Sequence, residues 1–259
     1  MSKRIGIITL GCKVNQYESE AIAEKFTAAG FSVVSPTLPA DVYVINTCTV
    51  TAESDRKAGQ LIRRVQVQNK DALVLVTGCF AQAAPEAVAA IPGVHYICGN
   101  DRKLSVVQMA KEFTEKKQVP EAPTVSVGEL QNVPFEPMHI TRFDRTRAYV
   151  KIEDGCESRC TYCIIPSARG KIRSKPLADV IEEVTQLTRG GCREIVLTGI
   201  HIGSYGKDLK NVIGAGRCIS VTDAMWDITR VIPCCSVTGQ AAGTAAAMSD
   251  DFENLDVKK

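Results

Sequence analysis

Three cysteines fall within one short stretch, Cys156-Glu-Ser-Arg-Cys160-Thr-Tyr-Cys163, spaced CxxxCxxC. Thiols this close in sequence can wrap a single inorganic cluster from one loop. A structural zinc site takes four ligands, commonly as two separated pairs. A [4Fe–4S] cluster held by only three thiolates instead leaves one iron open to an exogenous ligand. The plain alternative is three packing cysteines, because free cysteine is among the most buried residue types.

A second set is dispersed along the chain. Cys12, Cys48 and Cys79 stand in TLGC, VINTC and VTGC, each directly after an expected strand. In a parallel sheet all three positions lie beyond the carboxyl ends of the strands, where such folds bind their ligands. Gly11 and Gly78 precede two of them and allow the backbone to approach a bulky group closely. Taken singly, each reads as a packing cysteine; their common placement favours a shared ligand role. Cys98 also follows a strand, in YICGN, and reads as packing. So does Cys192, which sits in a helix–strand turn without partner spacing.

The elements that must hold these groups follow from periodicity. KRIGIIT, FSVVS, DVYVIN, ALVLVTG and HYIC read as short strands. They alternate with helices over NQYESEAIAEKFTAAG, over about 51–69 and from about Arg102. This rhythm predicts a Rossmann-like α/β domain with a parallel sheet. Asn15 is expected to cap the first helix, Ile22 and Phe26 lie one turn apart on it, and Gly30 can end it in a left-handed conformation. The Pro-rich, aperiodic run over 118–143 reads as a linker. Beyond it, TRAYVKI reads as a strand, the Cys-rich stretch as a loop, LADVIEEVTQLTRGG as an amphipathic helix and REIVLTGI as a second buried strand. That order opens a (β/α) barrel, of which 144–210 can supply only about two units at roughly 30 residues each. The expected organisation is an N-terminal domain over 1–117, the linker over 118–143, an incomplete barrel over 144–210 and a distinct tail over 211–259.

Hydrophobic residues make up 45% of the chain and charged ones 23%, a globular composition that argues against disorder. No run approaches the roughly 20 apolar residues a spanning helix needs, and MSKRIGIITLGC lacks a cleavage site. A cytoplasmic protein with no membrane association is expected. Eleven cysteines in such a setting point to metal or cofactor ligation over a disulfide framework. The net charge of +2 conceals a local excess, with nine Lys/Arg against four acids over 142–175. A basic belt beside a cysteine cluster suits a polyanionic partner; a solvated surface is the plain reading.

MSKRIGIITLGCKVNQYESE, VINTCTVTAESDRK, LVTGCFAQ, VKIEDGCESRCTYCIIPSARGKIRS and EIVLTGIHIGSYGKDL together resemble the radical S-adenosylmethionine methylthiotransferases, over residues 3 to about 209. Within that family, GCKVNQYESE and CTYCIIPSARG resemble the branch acting on N6-threonylcarbamoyladenosine at position 37 of the tRNA anticodon loop. The resemblance implies an incomplete radical-SAM barrel and two [4Fe–4S] clusters. Cys156, Cys160 and Cys163 would hold the cluster whose open iron chelates S-adenosyl-L-methionine through its amino and carboxylate groups. The resulting 5′-deoxyadenosyl radical would take hydrogen from C2 of the adenine. Cys12, Cys48 and Cys79 would hold the auxiliary cluster through which the methylthio group is delivered. Tyr162 matches the family's aromatic at that site and would pack against the adenine of the cofactor, core packing being its plain reading. Arg169, Lys171 and Arg173 would contact tRNA phosphate or be solvated. A reducing electron donor is implied as a partner, and no stable protein partner. The alternatives are the branches acting on isopentenyladenosine-37 of tRNA or on a ribosomal protein, and a non-catalytic iron–sulfur-binding fragment.

After Lys210 this pattern stops. NVIGAGRCISVTDAMWDITRVIPCCSVTGQAAGTAAAM resembles the carboxyl-terminal segment of FAD-dependent oxidoreductases, so a fusion junction is expected between about 205 and 211. There is no amino-terminal GxGxxG fingerprint to form the other half of a dinucleotide site, and flavin binding is not expected. Cys218, Cys234 and Cys235 fall in this tail and are assigned no cluster role.

Overall fold

The computed structural model describes residues 2–116, 120, 122–143, 146–209 and 241–242; the tail with Cys218, Cys234 and Cys235, and Asp144 and Arg145 of the basic run, lie outside the described residues. The first unit contains β1 (Arg4–Thr9), α1 (Lys13–Ala28), β2 (Ser32–Val34), β3 (Val42–Thr47), α2 (Ala52–Gln68) and β4 (Leu73–Gly78). Two short helices follow, α3 (Cys79–Ala83) and α4 (Pro85–Ala89), then β5 (Tyr96–Cys98), α5 (Ser105–Lys116) and β6 (Thr124–Ser126). The strands pair in parallel in the order β2-β1-β3-β4-β5-β6. Every residue of β3 and β4 is buried, as continuous Val/Ile/Leu runs require when helices cover both faces of a sheet. Ile45, Val74 and Val76 pack with Ile62 and Val65 of α2 in one core. Val44, Leu73 and Leu75 pack with Ile22 and Phe26 of α1 and Val106 of α5 in the other.

Helix α1 serves two cores. Ile22 and Phe26 belong to the sheet, whereas Tyr17 and Ala21 pack against Met138, Ile140, Ala148 and Val150 beyond it. Gly30 follows the helix with φ +87°, the left-handed ending anticipated. Asn15 does not cap it. Cys12 holds the N-cap position, and the buried Asn15 Nδ2 donates instead to Leu10 O at 2.7 Å and Thr47 O at 2.9 Å, tying together the exits of β1 and β3. A short amide side chain one turn into a buried helix finds strand carbonyls before it finds its own helix terminus.

The Pro-rich segment is not a free tether. Thr124–Ser126 adds to β5 as the edge strand, and Leu130, Met138 and Ile140 are buried. Its prolines lie outside the paired residues, so they do not interrupt the ladder, and the open edge of β5 supplies the hydrogen-bonding partners.

The second unit comprises β7 (Ala148–Lys151), β8 (Glu153–Asp154), α6 (Ile165–Arg169), β9 (Arg173–Ser174), α7 (Leu177–Arg189) and β10 (Ile195–Thr198), with a 3-10 turn at Ile202–Ser204. β7 and β10 pair in parallel across α7, while β8 and β9 form an antiparallel pair. Among the described residues the parallel sheet has two strands and is not closed into a barrel. β10, expected as a buried strand, is an edge here and leaves Leu197 44% exposed. No helix among the described residues is long and apolar enough to cross a membrane.

Gly78 ends β4 at φ +98°, where an added Cβ would run into the Thr47 carbonyl and lie 2.6 Å from Asn46 Oδ1. We expect Gly78→Ala to lower stability by about 2 kcal/mol or more, since a strained backbone and a displaced strand add together. Chemical denaturation measures this; an unchanged midpoint would show that β3 and β4 can separate at their exits without loss.

Candidate functional site

The register of the sheet places three cysteines at one edge. Thr47 pairs with Gly78, so Cys48 and Cys79 leave adjacent strands at the same level. Leu10 N donates to Asn46 O at 2.8 Å, which brings the exit of β1 alongside. Gly11 lies directly on Cys48: a Cβ there would stand 2.8 Å from Cys48 Cβ and 3.0 Å from its Sγ. Cys12 is exposed at the mouth, and Cys48 and Cys79 are buried below it. Cys98 is fully buried in the apolar core, where burial pushes its thiol up to about 11, and it is a packing residue.

The other three cysteines occupy the loop between β8 and α6. Cys156 N donates to Gly170 O at 3.0 Å, closing the loop at its base, and Cys163 N donates to Cys160 O at 3.1 Å. Cys160 is exposed, and Cys156 and Cys163 are half-buried. A cleft of about 760 Å³ opens beside them, with Cys156, Cys160 and Lys171 on one wall and Gln82, Gly128 and Leu130 on the other. The second wall comes from α3 and from the segment after β6, so both units frame the space. Tyr162 is 90% exposed, which rules out core packing for its ring.

Among the described residues no group of three or more His, Cys, Asp or Glu side chains is arranged to hold a metal ion. The backbone brings each trio of thiol-bearing residues to one place without drawing the side chains together. The donor chemistry fits iron–sulfur ligation: six free thiols in two sets, one backed by glycine at a sheet edge and one with Cys156 and Cys160 lining an open cleft.

A buried ionic network lies between the two sets. Glu18 of α1 meets Lys103 in a very short contact, Lys151 of β7 at 2.9 Å and Arg169 of α6 at 2.5 Å. Asp154 meets Lys151 at 3.2 Å, Arg169 at 3.3 Å and Arg173 at 3.4 Å. Burial alone would push the Glu18 carboxyl up, but Arg169, Lys103 and Lys151 outweigh it and hold the group well below its ordinary range. Burial likewise works against the charge on Arg169, and is outweighed by Cys79, Glu18 and Asp154. Arg169 Nε donates to Cys79 Sγ at 3.2 Å. Arg169 and Arg173 are therefore interior residues, neither solvated nor free to contact phosphate; only Lys171 of that group is exposed. The sequence carried a signal for Glu18, which lies four residues from both Val14 and Ile22 on the buried face of α1.

Glu153 is also buried. Its Oε2 accepts from His201 N at 2.7 Å, Oε1 has no partner among the described residues, and burial pushes the carboxyl up to about 7.

Comparison with known proteins follows the same division. Residues 4–99 match the uncharacterized protein family UPF0004, 150–218 the radical SAM superfamily and 205–256 the FAD dependent oxidoreductase family. The chain is 45% identical over 205 residues to the threonylcarbamoyladenosine tRNA methylthiotransferase MtaB of Bacillus subtilis, covering 78% of this chain and 45% of that protein. It is 32% identical over 230 residues to the tRNA-2-methylthio-N(6)-dimethylallyladenosine synthase of Thermotoga petrophila, covering 88% and 51%. The chain thus spans about half the length of these relatives. Among solved structures it shares a fold with the radical S-adenosylmethionine methyltransferase TsrM of Kitasatospora setae, with a TM-score of 0.50 and 16% identity over 78% of this chain and 48% of that one. The architecture is accordingly mixed α/β of the radical-SAM (β/α) type, with the sheet left open.

Two outcomes test the network and its neighbour. Glu18→Gln leaves three buried cations facing a neutral amide, and we expect a loss of about 3–5 kcal/mol in denaturant unfolding. Glu153 has a folded-state value above its ordinary 4.5, so the folded chain keeps a proton that the unfolded chain releases. Its contribution to stability is fully present below about pH 4.5 and is lost as pH rises through about 7, with a slope of at most about 1.4 kcal/mol per pH unit. Glu153→Gln should flatten the stability profile across that window; a profile identical to that of the native chain would mean that the carboxyl is solvated.

Proposed function

We propose, from a chain that matches threonylcarbamoyladenosine tRNA methylthiotransferases over about four-fifths of its length, that the protein transfers a methylthio group to C2 of N6-threonylcarbamoyladenosine at position 37 in the tRNA anticodon loop. The observation that carries this reading is the pair of thiol sets, one on adjacent strand exits and one on a cleft-facing loop, in a chain nearer in sequence to the threonylcarbamoyl branch than to the dimethylallyl one. Residues 1–117 would form the auxiliary-cluster domain and 144–210 the first part of the radical-SAM barrel, with 118–143 between them. The setting would be cytoplasmic, with tRNA and a reducing electron donor as partners.

Cys156, Cys160 and Cys163 would hold one [4Fe–4S] cluster, and Cys12, Cys48 and Cys79 the other. When bound, these groups and S-adenosyl-L-methionine supply the radical and the sulfur, chemistry that no side chain of this protein can perform. The chain's own part is placement. Tyr162 is exposed on the cluster loop, and its ring would pack against the adenine of the cofactor. Exposed Arg159 and Lys171 line the cleft and supply positive charge for an anionic substrate. The network around Glu18 holds the loop-bearing unit against the sheet, so that the two sets of thiols keep a fixed relation.

A second reading, a non-catalytic iron–sulfur protein, is favoured by the open two-stranded sheet among the described residues. Anaerobic reconstitution separates the two. We expect about eight irons per chain, about four after Cys156, Cys160 and Cys163 are all changed to Ala, and 5′-deoxyadenosine only from the native trio. Mass spectrometry of threonylcarbamoylated tRNA should then show the methylthio product. Uptake of iron without cofactor cleavage would establish the second reading, and a full iron load in the triple variant would sink both.

A further inference from the structure

The two sets of thiols are joined through one side chain. Arg169 is the last residue of α6, six positions after Cys163, and it is fully buried. Its Nη1 is held by Glu18 at 2.5 Å and by Asp154, and its Nη2 by Asn15 Oδ1 in a very short contact. Its carbonyl accepts from Arg173 Nη2 at 2.8 Å, and the carbonyl before it accepts from Asn100 Nδ2. The guanidinium is therefore fixed on every side but one, and the remaining donor, Nε, points at Cys79 Sγ at 3.2 Å. The next residue, Gly170, accepts the backbone hydrogen bond that closes the Cys156 loop.

The charge around it is unbalanced. Among the described residues, Lys103, Lys151, Arg169 and Arg173 form ion pairs with only Glu18 and Asp154, four cations against two anions. Half-buried Glu136 and buried Glu153 also act on Lys151, but burial pushes both carboxyls toward their neutral forms, so they offset the excess only in part. A buried surplus of positive charge beside a thiol is costly unless an anion sits there. A thiolate-ligated iron–sulfur group is such an anion, and it becomes more negative when reduced.

We propose that Arg169 is a positioning residue for the auxiliary site: its Nε–H···Sγ bond fixes Cys79 and raises the reduction potential of the iron–sulfur cluster that Cys12, Cys48 and Cys79 hold. This rests on the functional reading above. Hydrogen bonds to cluster sulfurs and nearby net charge are the terms by which a protein sets such potentials, and Arg169 supplies both from a geometry established without the cluster. Its position beside Gly170 also makes it the mechanical link by which the loop of one site constrains a ligand of the other.

The test uses the full chain with Cys156, Cys160 and Cys163 changed to Ala, so that only the auxiliary cluster is present. Potentials are read by redox titration followed by electron paramagnetic resonance, with Arg, Lys or Gln at 169. We expect the potential to fall on Arg169→Lys, which keeps the charge but loses the aimed N–H, and to fall further on Arg169→Gln. A folded variant that loses auxiliary iron also supports the proposal, because it shows Cys79 released. An unchanged potential at full iron load overturns it. Should both variants fail to fold, pulsed resonance on protein with native Arg169 and 15N-labelled arginine decides: hyperfine coupling of an arginine nitrogen to the reduced cluster supports the bond, and its absence overturns it. A chain with native Arg169 that takes up no iron at this trio refutes the functional reading itself, whereas an unmoved potential sinks only the present inference.

Discussion

The contact on which the arrangement depends is the one between Glu18 and Arg169. It joins the first helix of the sheet domain to the helix that follows the cysteine loop, across 151 residues of chain. Apolar packing between the units, through Tyr17, Ala21, Met138 and Val150, sets their approach but tolerates sliding. A buried carboxylate surrounded by three cations does not. Each charge has lost its hydration and is repaid only at the geometry that satisfies all of them, so small displacements leave an unpaired interior charge. A second network repeats the device nearby: Lys175 meets Glu183 in a very short contact, and Tyr17 Oη donates to Glu183 at 3.0 Å. Both pass through α1, which is why that helix carries Asn15, Tyr17 and Glu18 on its buried face.

The sheet supplies the other half of the geometry. Parallel strands deliver their successors to one edge, and β1, β3 and β4 are neighbours there. Three cysteines far apart in sequence can thus converge with no dedicated loop structure beyond Gly11 and Gly78. The cysteine loop of the second unit solves the same problem differently, gathering its thiols by proximity in sequence and closing its base with one backbone hydrogen bond to Gly170. One set of thiols is gathered by topology and the other by spacing. Arg169 stands where the two constructions touch.

This difference explains what could be read from the residues alone. Strand positions and the edge placement of Cys12, Cys48 and Cys79 were legible because period-two and continuous apolar runs carry a local signal. So was the helix over 52–68, whose Thr51 hydroxyl accepts from Ser54 N as an N-cap should. Asn15 reads as a cap because a polar residue near a helix start resembles one, and only the tertiary fold reveals that its partners are the carbonyls of Leu10 and Thr47. The strand at Thr124–Ser126 was hidden by surrounding prolines, since three paired residues are too few to show a period. Buried charges were hidden for a deeper reason. Lys151, Arg169 and Arg173 look like surface residues individually, and only their pairing with Glu18 and Asp154 makes burial tolerable, which is a property of contacts between residues far apart in sequence.

The basic run over 142–175 shows what that costs a charge-counting argument. Of its nine cations, Lys151, Arg169, Arg173 and Lys175 are buried and engaged by acids or carbonyls within the protein. Arg147 is exposed but pairs with Glu194 at 3.2 Å. The positive surface open to a polyanion is therefore Arg142, Arg159 and Lys171 among the described residues, and Arg159 and Lys171 lie beside the cysteine loop. A belt that reads as one electrostatic footprint is physically two features: an interior scaffold that orders the thiols and a small exposed set at the mouth of the cleft. Contact with a polyanion depends on the second alone, because the buried cations are closed off from solvent and their surplus charge lies beside Cys79 inside the protein.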